Sequence, residues 1–218
     1  KIILLTGASS GIGKQTAEFL AKEGHKVYGG ARRVNEMESL KAFGVVPIPL
    51  DVTDENSIKN AVGEIIGNEG RIDVLVNNAG YGSYGAVEDV TMEEARGQFE
   101  VNLFGLARLT KEVLPHMRKQ KSGRIVNVTS MGGRLITYLG AWYHATKYAV
   151  EAFSDALRME VKEFGIEVSI VEPGGIKTNF GDVAAEKLEK AAKGGAYEKA
   201  SFKVAEGIRK NYSGNMLL

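Results

Sequence analysis

Cysteine is absent from this chain, proline occurs only 4 times in 218 residues, and tryptophan once. The first absence excludes disulfides, thiol catalysis and zinc–thiolate centres, and says little about compartment. An excess of either charge is also missing. The 28 Lys and Arg nearly balance the 27 Asp and Glu, and a net charge of +1 gives no reason to propose a nucleic-acid partner or an anionic membrane surface. No apolar run reaches the length of a membrane span. The histidines His25 and His116 sit among polar residues without metal-ligand spacing, and no metal site is expected. The first β-type run begins at once and leaves no room for a signal peptide in this sequence, so a cytoplasmic protein is expected.

What is present is a regular alternation. Short β-rich runs at Ile2–Leu5, Lys26–Gly30, Val45–Leu50, Val74–Asn77, Ile125–Val128 and Val168–Val171 alternate with helical patterns near Gly13–Glu23, Asp54–Glu69, Met92–Lys119 and Tyr143–Phe164. Runs such as Val74-Leu75-Val76 are apolar throughout, as expected of strands covered on both faces. Gly24, Gly70, Gly123 and Gly165 stand where helices should end, and Thr53 and Thr91 where they should begin. With 44% hydrophobic residues, no internal repeat and no linker, the expectation is one α/β domain over residues 1–218. Its architecture would be a Rossmann-type doubly wound parallel sheet with helices on both faces. The Lys- and Glu-rich stretch Glu186–Lys210 reads as a solvated helical face.

After the first strand comes Thr6-Gly7-Ala8-Ser9-Ser10-Gly11-Ile12-Gly13. A strand, a glycine turn and a helix start form an anion site, because free backbone N–H groups and the helix dipole face the ligand. Gly7 permits the turn, Gly11 admits a pyrophosphate and Gly13 lets helix and strand approach. The spacing is Gly-x-x-x-Gly-x-Gly, which differs from Gly-x-Gly-x-x-Gly, and Gln15 supplies no hydroxyl for the magnesium of a P-loop nucleotidase. The second strand runs to Ala31, where an NAD-preferring fold offers an acid to the ribose hydroxyls. Here Arg32 and Arg33 follow, and a guanidinium can meet a 2′-phosphate, so NADP(H) is the expected cofactor.

In a sheet of this kind, ligands bind at the carboxyl ends of the strands. Ser130 lies at one such end, with Tyr143 and Lys147 spaced i and i+4 on one helix face. Reduction of a carbonyl by hydride needs a proton, and oxidation of an alcohol needs the reverse. A unit charge ~4 Å from the phenol, at an effective dielectric of ~20, is worth ~4 kcal/mol or roughly three pKa units, so Lys147 is expected to draw the Tyr143 pKa down toward neutrality. Ser130 would hold the substrate oxygen, and Asn102, poorly suited to a helix interior, would hold a water for proton relay. His144 points to another helix face and is left out of the chemistry. Aromatic and aliphatic stretches at Tyr81–Gly85, Met131–Gly133, Leu135–Leu139 and Phe180 are expected to wall the site, which suits an apolar carbonyl or alcohol substrate.

In these motifs and their order, to about Thr178, the chain resembles the short-chain dehydrogenase/reductase family, including members acting on steroids and retinoids. The motifs are Thr6-Gly7-x-x-x-Gly11-x-Gly13, Asn77-Asn78-Ala79-Gly80, Asn102, Ser130, Tyr143-x-x-x-Lys147 and Pro173-Gly174. The resemblance implies that Asn102, Ser130, Tyr143 and Lys147 form the catalytic set. It implies cofactor contacts from Gly7, Ser9, Ser10, Gly11, Ile12 and Gly13, and adenine contacts from Asp51 and Val52. Asn78, Ala79 and Gly80 would floor the cofactor, with Tyr143 and Lys147 also touching it. The turn containing Pro173, Gly174, Ile176 and Thr178 would hold the carboxamide. A homodimer or homotetramer is implied as well. The family continues through a substrate loop, here about residues 175–210, to a further strand and a glycine-rich tail, whereas this sequence reaches Leu218 without that strand. A non-catalytic NADP(H)-sensing regulator is the alternative from another functional class.

Overall fold

The structure is a computed structural model that describes residues 1–213. Its centre is a six-stranded parallel sheet in the order β3-β2-β1-β4-β5-β6. The strands are β1 (Ile2–Thr6), β2 (Lys26–Ala31), β3 (Val46–Pro49), β4 (Val74–Asn77), β5 (Gly123–Val128) and β6 (Ile166–Val171). Chain order reverses between β1 and β4, which pair in parallel through Ile3–Val74, Leu4–Leu75 and Leu5–Val76. A crevice opens at that switch point, beyond the carboxyl ends of the strands.

Alternation along the strands builds a core on each face. Leu4, Tyr28, Ile48, Leu75, Ile125 and Val168 pack with α2 (Glu55–Glu69), α4 (Leu106–Gln120) and α5 (Ala141–Val161). Ile3, Leu5, Val27 and Val76 point the other way, onto α1 (Gly11–Lys22) and the 3₁₀ segment Val34–Phe43. The expected α/β sheet with helices on both faces is therefore present. Among the described residues no strand follows β6.

Several local expectations are corrected. Asp54, not Thr53, caps α2, accepting from Ser57 N at 2.8 Å. The Thr53 hydroxyl is engaged by Asp51 Oδ1 at 2.8 Å, which leaves the shorter reach to the next residue. Thr91 does cap α3 (Met92–Phe99), accepting from Glu94 N at 3.2 Å. Gly123 opens β5 and caps nothing. The left-handed residue after α4 is Lys121, and Gly123 is small because Met117 crowds it, so that a Cβ there would lie 2.5 Å from its sulfur.

The long helix expected over 92–119 is interrupted by a π-helical turn, Glu100–Gly105, which carries Asn102. The stretch read as a solvated face is two helices, α6 (Phe180–Ala192) and α7 (Glu198–Ser213), packed together. They bury Ala185, Leu188 and Ala205 against Ala86 and Leu139.

Candidate active site

The crevice is a cavity of about 1260 Å³. Its first wall is the glycine turn between β1 and α1. Gly7 and Gly11 take the left-handed conformation, with φ of 71° and 53°. At Gly13 a Cβ would lie 2.2 Å from the Gly7 carbonyl oxygen, so no side chain fits. Ser10 precedes α1 without capping it by its side chain, and no acid occupies the first helical turn. The amides of this helix start therefore face the cavity without an anionic side chain of their own, which fits a phosphate-bearing ligand.

The opposite lip is fastened by Thr6, whose hydroxyl accepts from Asn78 N at 3.0 Å and Ala79 N at 2.9 Å. Asn78 Nδ2 returns a bond to the Thr6 carbonyl at 2.9 Å. Every residue expected to contact a cofactor lines this one cavity: Gly7, Ser9, Ser10, Gly11, Ile12, Gly13, Arg32, Arg33, Asp51, Val52, Asn78, Ala79, Gly80, Tyr143, Lys147, Pro173, Gly174, Ile176 and Thr178. Ala31 lies beside them without a carboxylate, while Arg33 is paired with Glu36 at 3.0 Å.

Ser130, Tyr143 and Lys147 open on the same cavity. Ser130 follows the end of β5 and orders the short turn Met131–Gly133 by accepting from Gly132 N at 3.0 Å. Tyr143 and Lys147 project from α5, and Tyr143 is only 5% exposed. Its ring stacks on Tyr84 at 5.3 Å and meets Phe180 at 5.7 Å, while Phe180 is backed by Tyr212 at 5.6 Å.

The expected fall in the Tyr143 pKa is not found. Burial pushes it up to about 12, against the opposing hydrogen bond with Ser130. The physical reason is desolvation by burial, to which Tyr212 adds. Lys147 Nζ lies 6.0 Å from the ring centroid and donates to the Val128 carbonyl at 3.2 Å. Burial in turn holds Lys147 down to about 8, with Glu151 pulling the other way.

Asn102 is held by three hydrogen bonds. Its Oδ1 accepts from Tyr81 N at 3.0 Å, and Nδ2 donates to Tyr81 O at 2.9 Å and Thr146 Oγ1 at 3.1 Å. Both amide protons are used, and the side chain braces the loop after Gly80.

His144 is structural. Its Nε2 accepts from Thr137 N at 2.9 Å, which makes Nδ1 the protonated nitrogen that donates to Gly132 O at 2.9 Å. Of the expected walls, Tyr81, Gly82 and Phe180 line the main cavity. Ile136, Thr137, Tyr138 and Leu139 instead border a second, largely apolar cavity of about 950 Å³ beyond His144.

The short chain dehydrogenase family matches residues 1–189. The chain belongs to that family. It is 48% identical over 183 residues to the 3-ketodihydrosphingosine reductase of Bacteroides thetaiotaomicron, covering 84% of this chain and 66% of that protein. Among solved structures it resembles the alcohol dehydrogenase of the archaeon Thermococcus sibiricus complexed with 5-hydroxy-NADP. That match has 28% identity and a TM-score of 0.78, and covers 96% of this chain and 88% of that one. It equally resembles the 3-ketoacyl-(acyl-carrier-protein) reductase of Brucella melitensis complexed with NADH. There the identity is 28% and the TM-score 0.82, with coverage of 96% of this chain and 89% of that one.

Sequence reasoning missed Lys187, Tyr212 and Glu151. Lys187 lines the main cavity and pairs with Glu94 at 2.7 Å, though it sits in the stretch read as solvated. Tyr212 gave no periodic signal. Glu151 did: it repeats the four-residue spacing of Tyr143 and Lys147. Among the described residues no helix is long and apolar enough to cross a membrane, and no group of His, Asp and Glu is arranged to hold a metal.

Proposed function

We propose that the protein is an NADP(H)-dependent oxidoreductase that interconverts an apolar carbonyl compound and its alcohol. The observation that carries this reading is convergence: Ser130, Tyr143 and Lys147 share one cavity with a glycine turn shaped for a dinucleotide. Bound there, the nicotinamide supplies or accepts the hydride. The chain's own groups handle the proton. In reduction the Tyr143 hydroxyl gives its proton to the substrate oxygen, and Ser130 holds that oxygen and the phenol in one hydrogen-bonded group. The Lys147 ammonium stabilises the phenolate left behind. A phenol held up near about 12 stays protonated at working pH, which suits the acid role.

Arg32 is the principal partner of a 2′-phosphate and Arg33 a secondary one. The Arg33–Glu36 pair supports that order, because Arg33 must share its charge. Aromatic walls from Tyr81 and Phe180 support an apolar substrate. A cofactor-consumption screen across steroids, retinoids, short ketones and aldehydes tests the proposal. Turnover of apolar carbonyls with NADPH is expected. NADPH binding without turnover of any carbonyl would favour an NADP(H)-sensing regulator, a role to which the closely covered Tyr143 would also be suited.

A further inference from the structure

A buried acid stands behind the reaction chamber. Glu151 lies one helical turn beyond Lys147, and its side chain is 6% exposed. A carboxylate in that position is costly unless paired. The Thr129 hydroxyl donates to Oε1. Arg134 Nη2 stands 3.0 Å from Oε2 and its Nε reaches Glu172 Oε1 at 3.1 Å. Gly133 is packed so tightly on the acid that a Cβ there would come 2.9 Å from Glu151 Cγ. The chain positions of these partners matter. Thr129 directly precedes Ser130, and Glu172 directly precedes Pro173-Gly174. One carboxylate on α5 thus joins the strand ends that carry Ser130 and the Pro173 turn to the helix that carries Tyr143 and Lys147.

We propose that Glu151 is a positioning residue for the reaction, fastening the Ser130 strand end and the Arg134–Glu172 pair to α5 one helical turn from Lys147. The inference rests on the dehydrogenase reading of the site. The charged and titratable groups around it are Lys147 and Tyr143 on its own helix, Arg134 from the turn after β5, and Glu172 after β6, with Asp155 acting on Arg134. Burial draws Lys147 toward its neutral form, and Glu151 is the charge that opposes this. Arg134 opposes Glu151 in turn. Removing the Glu151 charge and removing the Arg134 charge should therefore move Lys147 in opposite directions, which a purely structural brace would not produce.

The test compares wild type, Glu151→Gln, Glu151→Asp and Arg134→Gln by the pH profile of kcat/KM for NADPH-dependent carbonyl reduction. It also follows the Lys147 titration by NMR of isotope-labelled lysine, with melting temperature as a control. In Glu151→Gln the alkaline limb and the Lys147 titration should both move to lower pH by about one unit, a roughly tenfold loss of kcat/KM above the limb. Glu151→Asp keeps the charge and should hold the limb near its wild-type position, while Arg134→Gln should move it to higher pH. Unchanged Lys147 titration in Glu151→Gln, or shifts of the same sign in Glu151→Gln and Arg134→Gln, would overturn the proposal. Absence of wild-type turnover with the NMR shifts as expected would instead sink the dehydrogenase reading, because the NMR arm needs no catalysis.

Discussion

Tyr143 packs its ring against Tyr84 and Phe180, and replacing it with Phe removes one oxygen while leaving that packing intact. Tyr143→Phe should therefore bind NADPH as the wild type does in a fluorescence titration, yet retain less than about 5% of its carbonyl turnover, a loss above about 1.8 kcal/mol in transition-state stabilisation. The pH dependence follows from the two protonation states. Reduction needs the phenol protonated and Lys147 charged. Since Tyr143 is held up near about 12 and Lys147 down near about 8, kcat/KM for reduction should be flat at low pH and fall above about 8. Oxidation needs the phenolate, so its kcat/KM should rise with pH until Lys147 loses its proton. Parallel profiles in the two directions would contradict these assignments. At the other end of the cavity, Arg32→Ala removes a charge-assisted contact of about 1.5–3 kcal/mol, and should weaken NADPH binding roughly ten- to a hundred-fold with little effect on NADH. Equal affinities of the unmodified protein for NADH and NADPH would overturn the cofactor reading.

Among the elements, the start of α1 and the π turn show what local sequence can and cannot carry. The glycine turn was legible because its requirement is local: left-handed φ at Gly7 and Gly11, and no room at Gly13. Gly13→Ala should force the turn open and abolish measurable NADPH binding while leaving the sheet folded, as circular dichroism would report. The strands were legible because their apolar runs were short and bounded. The π turn was not, since its residues read as ordinary helix. What sets it apart is tertiary: Gly105 packs onto Val52, and Asn102 bonds Tyr81 and Thr146 from distant parts of the chain. The same distinction explains the depressed pKa expected for Tyr143. Helical spacing places Lys147 on the right face, but the burial that pushes the phenol up is made by other elements, as is the Val128 carbonyl that accepts from the ammonium. At the start of α2 the choice between adjacent caps was beyond sequence pattern. Asp54→Ala there should cost about 1 kcal/mol, seen as a fall of roughly 2–4 °C in melting temperature, with NADPH affinity unchanged.

Across the whole molecule, the cavity draws on every strand end but carries few charges near Tyr143. Apolar ketones should accordingly show higher kcat/KM than charged sugars or amino-acid derivatives in a substrate panel, and the reverse ranking would refute the pocket reading. Assembly as a homodimer or homotetramer belongs to the same proposal, and light scattering on the protein in solution decides it. The seam between β1 and β4 carries a different kind of consequence, one of time. Thr6 reaches Asn78 and Ala79 across more than seventy positions of chain, so the two lips of the cavity meet only after β4 has found its place beside β1. Non-local parallel pairing of this sort is slow compared with helix formation. During refolding from denaturant, helical signal should return first, and NADPH binding only in the final, slowest phase. An arrested half-folded chain would hold either the glycine turn or Tyr143 in order, and could not use one without the other.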